Sequence, residues 1–262
     1  PYMKIRELVK NLSCHFNTIH GEKICADTDI QGLLDTEITQ ITNDSRKVLP
    51  GSLFFCIVGA NSDGHDYAAM AMEKGAAAVL CNHAPEGVPA IVVEDTRIAL
   101  GKIANAYRKH LGFKAVGVTG SVGKSTTKEM IATVMGACHK TAKTPANFNN
   151  DLGMPMSILD MPEDTQVAVL EMGMGNFGEI AYLTNIGEPD QAVIINIGTM
   201  HMEILGSKEG ILQAKMEILE GLHPDGKLFL NGDDNLLYSQ KDKLGDRAVY
   251  FGTNPEKCKV WA

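Results

Sequence analysis

The sequence predicts an α/β protein of two domains, a small first domain followed by a larger one built on a mostly parallel sheet. Short apolar runs alternate with helical patterns from end to end, which is typical of parallel strands joined by crossover helices. The 262 residues are enough for two domains that each bury a core. Near the middle, an apolar run passes through a glycine-containing turn into a helical pattern, which indicates a phosphate-binding loop.

The first domain is predicted from three strands and a helix. Apolar runs place strands at residues 53–58, 77–81 and 90–93, and an alanine-rich pattern predicts a helix over residues 66–74. Gly75 follows that helix and stops it, because glycine readily adopts the left-handed conformation that ends helices.

A domain boundary is predicted near residue 112. A helical pattern over residues 96–110 ends close to Gly112, and a new strand begins shortly afterwards. We therefore divide the chain into a first domain of residues 1–112 and a second domain of residues 113–262.

The second domain is predicted to have central strands covered on both faces. Residues 167–170 and 192–197 are nearly continuous apolar runs, as expected for buried parallel strands. Residues 248–251 and 258–262 also resemble strands, but no closing element follows them, so we expect the chain to be truncated. The two residues before Met3 resemble a cloning remnant.

Composition excludes several classes of partner. Basic and acidic residues number 24 and 32, a net charge of −8, and no dense basic run occurs, which argues against nucleic acid. No signal pattern is present and no apolar run approaches the roughly 18 residues that span a bilayer, which argues against a membrane. The cysteines form no C-x-x-C pair, as expected for reduced, mostly buried thiols of a cytoplasmic protein. They are Cys14, Cys25, Cys56, Cys81, Cys138 and Cys258.

The phosphate-binding loop follows a strand predicted at residues 115–119. Gly120 and Gly123 allow backbone N–H groups to curl around phosphate oxygens at the start of a helix. Lys124 is predicted to bridge the β- and γ-phosphates, and Ser125 to ligate Mg²⁺. The structural alternative is a glycine-rich turn capped by Ser125, with a solvated Lys124. The predicted nucleotide-binding residues are Thr119, Gly120, Ser121, Val122, Gly123, Lys124, Ser125 and Thr126.

Two further features of this loop bear on the prediction. The strict pattern G-x-x-x-x-G-K-[ST] requires glycine where this chain has Val118, so the match is to the shorter G-x-x-G-K-[ST] form. The following helix has Met130, Ile131, Val134 and Cys138 on one side, which predicts that this side packs on the core.

A carboxylate and a histidine are predicted at the same edge of the sheet. Glu171 ends one apolar strand and His201 follows the next within a few residues. Ligands bind at the carboxyl ends of strands in open parallel sheets, so Glu171 is a candidate second Mg²⁺ ligand and His201 a further one. The alternative for His201 is a hydrogen-bonded loop histidine.

Lys215 lies within the apolar stripe of a helix predicted at residues 211–222. Such a lysine often extends its ammonium group to water along the helix surface. The alternative is that desolvation lowers its pKa, so that the neutral amine reacts with CO₂ to form a carbamate, which could ligate a second Mg²⁺.

An asparagine-rich segment lies between the phosphate loop and Glu171. Residues 144–155 are rich in turn formers, which is typical of a simple loop. The carboxamides of Asn147, Asn149 and Asn150 could also bind a substrate carboxylate or phosphate without adding charge.

The order of these motifs resembles one family, the Mur ligases, which build the peptide of bacterial cell-wall precursors. The family's T-G-x-x-G-K-[ST]-[ST] loop is matched at residues 119–126, its strand-end glutamate at Glu171, its histidine at His201 and its carbamylated lysine at Lys215. Residues 147–155 resemble the N-x-N-N-x-x-G-x-P stretch of the branch that adds D-alanyl-D-alanine.

The first domain is similar to the family domain that holds the UDP-sugar end of the substrate. The matching segments are Asn43-Asp44-Ser45-Arg46, Pro50-Gly51-Ser52-Leu53-Phe54-Phe55 and Asp63-Gly64-His65-Asp66-Tyr67. The resemblance implies that residues of both domains bind substrate, namely Asp44, Ser45, Arg46, Asn147, Asn149 and Asn150.

The resemblance implies an ATP- and Mg²⁺-dependent ligase that adds D-alanyl-D-alanine to UDP-N-acetylmuramoyl-tripeptide through an acyl phosphate. Lys124, His201 and Lys215 would be the catalytic residues, and Ser125, Glu171, His201 and Lys215 the metal ligands. Family members have a third domain that this chain lacks, so we expect a fragment with little or no ligase activity. We also expect a monomer.

Three alternatives remain open. The first is ligation of another substrate, as in other Mur ligases or folylpolyglutamate synthetase, against which the asparagine-rich stretch and Asp44-Ser45-Arg46 argue. The second is a non-catalytic nucleotide- or UDP-sugar-binding module. The third is a P-loop ATPase or GTPase switch, which lacks a base-specificity motif and leaves Lys215 unexplained.

Overall fold

The computed structural model describes residues 3–17, 27–59 and 62–261. Within those ranges, no helix is both long enough and apolar enough to cross a membrane. The predictions that concern Pro1, Tyr2, Cys25 and Ala262 lie outside the described residues.

The chain separates into two compact units, Pro1–Tyr107 and Arg108–Ala262. Each unit contains a sheet with helices between its strands, and most strand pairs are parallel. The predicted α/β class is therefore confirmed.

The first unit contains one sheet of two strands and one of five. Its strands are β1 (Met3–Lys4), β2 (Cys14–Asn17), β3 (Glu37–Ile38), β4 (Gln40–Thr42), β5 (Ser52–Phe55), β6 (Ala78–Cys81) and β7 (Ala90–Val93). Strands β1 and β3 pair with each other. The larger sheet has the order β2-β7-β6-β5-β4, and only the β2–β7 pair is antiparallel. Strands β5, β6 and β7 are buried throughout and form the centre of this unit.

The helices that begin in the first unit are α1 (Ile5–Leu8), α2 (Asp27–Leu34), α3 (Ala68–Glu73) and α4 (Thr96–Leu111), and a 3₁₀ turn (Gly64–Tyr67) precedes α3. Helices α3 and α4 were predicted from the sequence, and α1 and α2 were not. Gly75 follows α3 with φ +95°, as its predicted role as a helix stop requires. Helix α4 ends before Gly112, which has φ +67°.

Strand β5 ends three residues earlier than predicted. The carbonyl of Ile57 accepts a hydrogen bond from Gly64 N–H at 3.0 Å, so the chain turns towards the 3₁₀ turn there. A Cβ on Gly64 would lie 2.5 Å from the Ile57 nitrogen, so only glycine fits this close approach. The prediction of a strand through Val58 is therefore wrong.

The second unit is a seven-stranded sheet in which every pair is parallel. Its strands are β8 (Lys114–Thr119), β9 (Thr141–Lys143), β10 (Val167–Glu171), β11 (Gln191–Ile194), β12 (Leu228–Asn231), β13 (Ala248–Gly252) and β14 (Val260–Trp261). Its helices are α5 (Lys124–Gly136), α6 (Gly153–Leu159), α7 (Glu179–Gly187), α8 (Met202–Leu205), α9 (Lys208–Met216), α10 (Asn235–Tyr238) and α11 (Lys241–Leu244), with 3₁₀ turns at Glu217–Glu220 and Gly245–Arg247.

The strand order of this sheet places a crevice beside β8. The order is β9-β10-β8-β11-β12-β13-β14, so the chain leaves β8 towards β9 on one side and later crosses to β11 on the other. In open parallel sheets, ligands bind at the carboxyl ends of the strands where the order reverses in this way. The segments after β8, β10 and β11 therefore meet at one edge.

Strand β11 is shorter than the predicted strand of residues 192–197. It ends at Ile194; the Ile195 amide still donates to the Thr119 carbonyl of β8 at 3.0 Å, and the contacts outside the sheet begin at Asn196. Ile197 N–H donates to Asp234 Oδ2 at 2.7 Å, and Asn196 turns towards the phosphate loop. Polar partners beyond the strand thus override an apolar run that continues in the sequence.

Helix α5 buries a different face from the predicted one. Met130 and Val134 are 64% and 71% exposed, and Cys138 is also exposed, so the predicted core-facing stripe is wrong for these three residues; only its fourth member, Ile131, packs on the core. The helix instead buries Lys128 and Ala132, which lie one turn apart. Apolarity alone selected the wrong face, because the buried face contains a lysine that finds charged and polar partners.

The described cysteines are free thiols, and most are buried as predicted. Cys56, Cys81 and Cys258 are buried, Cys14 is partly buried and Cys138 is exposed. Burial raises the pKa of the Cys56 and Cys81 thiols to about 12. These two thiols are therefore protonated and unreactive near neutral pH.

Candidate active site

The predicted phosphate loop lies between the end of β8 and the start of α5. Gly123 has φ +84°, which lets the chain reverse into the helix at Lys124. The Lys124 ammonium group folds back over the loop and donates to the carbonyls of Gly120 at 2.9 Å and Ser121 at 3.4 Å. The loop therefore has the strand–turn–helix geometry that phosphate binding requires.

Asn196 holds the first part of this loop from the neighbouring strand. Its Oδ1 accepts hydrogen bonds from the N–H groups of Ser121 and Val122, both at 3.0 Å, and its Nδ2 donates to the Val122 carbonyl at 3.0 Å. Gly198 N–H also donates to Ser121 Oγ at 2.8 Å. These bonds preform a loop that lacks the first glycine of the strict pattern.

Glu171 is buried at the carboxyl end of β10, beside the phosphate loop. Its Oε1 accepts hydrogen bonds from Ser125 Oγ at 3.2 Å and from Asn149 Nδ2 at 2.8 Å. Its backbone N–H donates to Thr144 Oγ1 at 3.0 Å. The carboxylate thus connects the loop helix with the asparagine-rich segment.

The other oxygen of Glu171 faces a buried lysine. Oε2 lies 3.1 Å from Lys128 Nζ in an ion pair whose side chains are only 2% and 1% exposed. The direction of this contact falls outside hydrogen-bond geometry, and within the described ranges no other donor reaches Oε2. Glu171 therefore faces a buried cation through Oε2 and the Ser125 hydroxyl through Oε1.

Ser125 and Glu171 fit a magnesium ion that is shared with a nucleotide. Both offer oxygen ligands, which Mg²⁺ prefers, and Oε1 of Glu171 lies 3.2 Å from the Ser125 hydroxyl. In the described part of the chain, no cluster of three or more His, Cys, Asp and Glu side chains could hold a metal by itself. A site here would therefore need further ligands, as phosphate oxygens would provide.

His201 lies at the start of α8, near the loop that follows β10. Its backbone is left-handed, with φ +63°, and its Nδ1 would lie 3.9 Å from a Cβ on Gly175. Burial raises the pKa of the neighbouring Glu179, but hydrogen bonds from Gly175 and Asn176 and the nearby His201 lower it overall. The structure therefore places His201 beside an anionic carboxylate on the segment that follows Glu171.

Lys215 is buried on α9, with 3% exposure. Burial and, to a smaller extent, the positive charge of Lys124 lower the pKa of its ammonium group to about 8. The neutral amine is the form that reacts with CO₂, so a substantial fraction of Lys215 is in a reactive form near pH 8. The electrostatic contact also shows that Lys215 and the phosphate-loop lysine approach each other.

The three asparagines of the predicted substrate segment have different surroundings. Asn149 donates to Glu171, whereas Asn150 Oδ1 accepts from Gly153 N–H at 2.7 Å and helps to start α6. Asn147 is exposed. Two of the three carboxamides, those of Asn149 and Asn150, thus already have structural partners.

In the first unit, Asp44 and Arg46 form a two-bond pair just after β4. Arg46 Nε and Nη2 donate to the two carboxylate oxygens of Asp44, each at 2.9 Å. Hydrogen bonds from Arg46 lower the pKa of Asp44 to about 2. Lys74 donates to the Ser45 carbonyl at 2.8 Å, so the segment offers two exposed cations next to a fixed carboxylate.

Family comparisons agree with both units. The Mur ligase middle domain matches residues 118–262, and the family's catalytic domain, described as "Mur ligase family, catalytic domain", matches residues 37–108. The chain belongs to the Mur ligase family. The resemblance found in the sequence is thereby confirmed.

Curated relatives of this Mur ligase share one description, UDP-N-acetylmuramoyl-tripeptide--D-alanyl-D-alanine ligase. The protein from Bacillus subtilis is 48% identical over 206 residues, which cover 77% of this chain and 45% of that protein. The protein from Escherichia coli is 36% identical over 223 residues, which cover 85% and 49%. The chain spans about half the length of these relatives.

Solved MurF structures from two bacteria are similar to this chain. MurF from Acinetobacter baumannii superposes with a TM-score of 0.84 at 30% identity, covering 96% of this chain and 54% of that one. MurF ligase from Thermotoga maritima, solved in complex with ADP, has a TM-score of 0.74 at 32% identity and covers 81% and 50%.

Sequence reasoning missed two residues of the site in this Mur ligase. Lys128 was missed because a lysine on a helix is usually exposed to solvent. Its position one turn after Lys124, on the same face of α5, was an available signal. Asn196 was included in a predicted strand, although a polar residue just beyond an apolar run at a strand end was an available signal.

Proposed function

We propose that this Mur ligase chain provides the nucleotide-binding and UDP-sugar-binding parts of a ligase that joins D-alanyl-D-alanine to UDP-N-acetylmuramoyl-tripeptide with ATP and Mg²⁺. The observation that carries the proposal is the contact between Ser125 of the phosphate loop and Glu171 at the carboxyl end of β10. The description of the relatives supports the substrates.

The two parts of the chain have separate roles in this proposal. Residues 113–262 bind ATP through the loop Thr119–Thr126, whose backbone N–H groups and Lys124 receive the phosphates. Residues 1–112 bind the UDP-sugar end of the precursor, for which the Asp44–Arg46 segment offers exposed cations and a fixed carboxylate.

The proposed reaction has two balanced steps. A carboxylate oxygen of the tripeptide attacks the γ-phosphorus of ATP, which forms an acyl phosphate and releases ADP. The amine of D-alanyl-D-alanine then attacks the acyl carbon, so that an amide forms, phosphate leaves and the nitrogen loses a proton.

The residues of the site would stabilise the charge of the first step. Lys124, now bonded to loop carbonyls, would turn its ammonium group to the transferred phosphoryl group. Ser125 and Glu171 would hold Mg²⁺, which supplies neutralisation of phosphate charge when bound. Lys215, as a carbamate, would add an anionic oxygen, and His201 an imidazole nitrogen, to a second such site.

The test is calorimetric binding to this chain. UDP-N-acetylmuramoyl-tripeptide should bind more tightly than UDP-glucose, the control ligand. ADP with Mg²⁺ should bind to the wild-type chain but not to Lys124→Ala. Adding the remaining part of a relative should then restore amide formation. Absence of both binding reactions in folded protein would refute the proposal, and binding without restored ligation would favour a non-catalytic module.

A further inference from the structure

Lys128 is a fully buried lysine on the helix that carries the phosphate loop. Its relative exposure is 0%, although it lies only one turn beyond Lys124 on α5. A buried ammonium group loses its hydration, so it persists only where the protein provides compensating partners.

The partners of Lys128 come from two other strand ends. Its Nζ donates to the Ala146 carbonyl at 2.6 Å and lies 3.1 Å from Oε2 of Glu171. Glu129 Oε1 is more distant, at 4.0 Å, and that carboxylate is also paired with Lys143. One buried cation therefore joins α5 to the segments that follow β9 and β10.

The residue whose carbonyl accepts from Lys128 has an unusual backbone conformation. Ala146 has φ +43°, a region that residues with a Cβ rarely adopt and that persists only when the surroundings impose it. Three residues later, Asn149 donates to Oε1 of Glu171. Lys128 thus fixes both the start of the asparagine-rich segment and the carboxylate to which that segment returns.

We infer that Lys128 is a positioning residue of the proposed Mg²⁺–nucleotide site. Its ammonium group holds Oε2 of Glu171, which keeps Oε1 beside the Ser125 hydroxyl at 3.2 Å. Lys128 acts only through Glu171 and Ala146 and does not itself contact the nucleotide. The inference depends on the proposed function for its ligand, but its geometry depends only on these contacts.

The experiment compares ADP binding by calorimetry with and without Mg²⁺. Outer partners of metal ligands typically contribute about 10- to 100-fold to metal affinity. Lys128→Met should therefore weaken ADP binding about tenfold or more with Mg²⁺ and leave metal-free binding nearly unchanged. Lys143→Met, the same substitution at a lysine paired with the exposed Glu129, is the matched control and should bind like wild type. Equal losses with and without Mg²⁺, or no loss, would overturn the inference.

A second comparison does not require Lys128→Met to fold. Neither Glu171→Gln nor the double variant Lys128→Met/Glu171→Gln buries an unpaired carboxylate. Both should bind ADP with Mg²⁺ equally, because the effect of Lys128 on the metal passes through Glu171, whereas its contact with Ala146 affects only the asparagine-rich segment. A further loss in the double variant would assign Lys128 an independent role. Circular dichroism establishes the fold of each variant.

Hydrogen exchange tests the backbone contact without any ligand. The Gly173 amide donates to the Asn149 carbonyl at 2.8 Å, so it reports the position of the asparagine-rich segment. It should exchange faster in the double variant than in Glu171→Gln, and at the wild-type rate in Lys143→Met. Unchanged exchange in the double variant would contradict the Ala146 anchor. A wild-type chain that binds no ADP with Mg²⁺ would instead refute the proposed function, and this exchange measurement would still decide the anchor.

Discussion

Two buried lysines flank the phosphate loop, and their surroundings differ. Lys128 on α5 has a buried carboxylate at 3.1 Å and a carbonyl acceptor at 2.6 Å. Lys215 on α9 has a cation, Lys124, as its electrostatic neighbour, and burial lowers its pKa to about 8. Similar burial therefore accompanies an ion pair at Lys128 and a lowered pKa at Lys215, and the charge of the neighbouring group distinguishes the two.

The strongest test of this comparison is stability. Lys128→Met leaves Glu171 buried without its counter-charge and should lower the free energy of unfolding by about 3–5 kcal/mol. Lys215→Met removes a buried charge without a counter-charge and should be neutral or stabilising. Urea unfolding at pH 7 measures both, and equal losses in the two variants would break the comparison.

The pH dependence of stability should separate Lys215 from other groups. Its pKa is about 8 when folded and about 10.5 when unfolded, so the unfolded chain binds more protons between these values. Stability relative to Lys215→Met should therefore rise from pH 8 to pH 10.5, by about 3 kcal/mol. Below pH 8 the penalty of burying the charge is fully present. A flat difference between the two proteins across this range would show that Lys215 is not desolvated.

The contribution of Lys124 should be smaller than that of burial. Lys124→Met removes the neighbouring positive charge, so the pKa of Lys215 should rise but stay below its ordinary value. NMR titration of ¹³C-labelled lysine side chains measures this, with Lys215→Met identifying the signal. Lys124→Arg keeps the charge and should leave the pKa of Lys215 low; a rise in that variant would point to loop movement instead.

The exposed pair of the first unit should show the smallest effect. Arg46 is 86% exposed, and its two-bond pair with Asp44 is screened by water. Arg46→Ala should leave the thermal midpoint almost unchanged while it weakens binding of UDP-N-acetylmuramoyl-tripeptide. Differential scanning calorimetry checks the first outcome and titration calorimetry the second. A large drop in the midpoint would show that burial is not what distinguishes the pairs.

The fold was predictable where one physical signal dominated. Strands such as β6 and β7 are buried on both faces, so their apolar runs marked them within a residue. The prediction failed where a polar contact ended an apolar run, as at Ile57 and Ile197, whose backbone groups bond outside the sheet. The face of α5 was wrong for a related reason, since its burial depends on a carboxylate distant in sequence.

The candidate site was predictable to the level of its motifs. The loop around Lys124 and the strand-end Glu171 came from local patterns, and the structure brings Ser125 and Glu171 together. The roles of Lys128 and Asn196 depend on contacts across strands β10, β8 and β11, which no local pattern contains. The metal- and substrate-binding roles of the predicted residues stay predictions until ligands are measured.

The strand order of the second unit also constrains how the chain folds. Strand β8 is the first strand of this unit to be synthesised, and its two neighbours in the sheet, β10 and β11, follow much later in the chain. The centre of the sheet therefore cannot form before Ile194 has been synthesised. Until then the apolar β8 lacks partners and can associate with other chains, because non-local parallel pairing is slow. We therefore expect substitutions that make β8 more apolar to reduce the yield of folded protein during expression. Their effect on the stability of protein that has folded should be smaller.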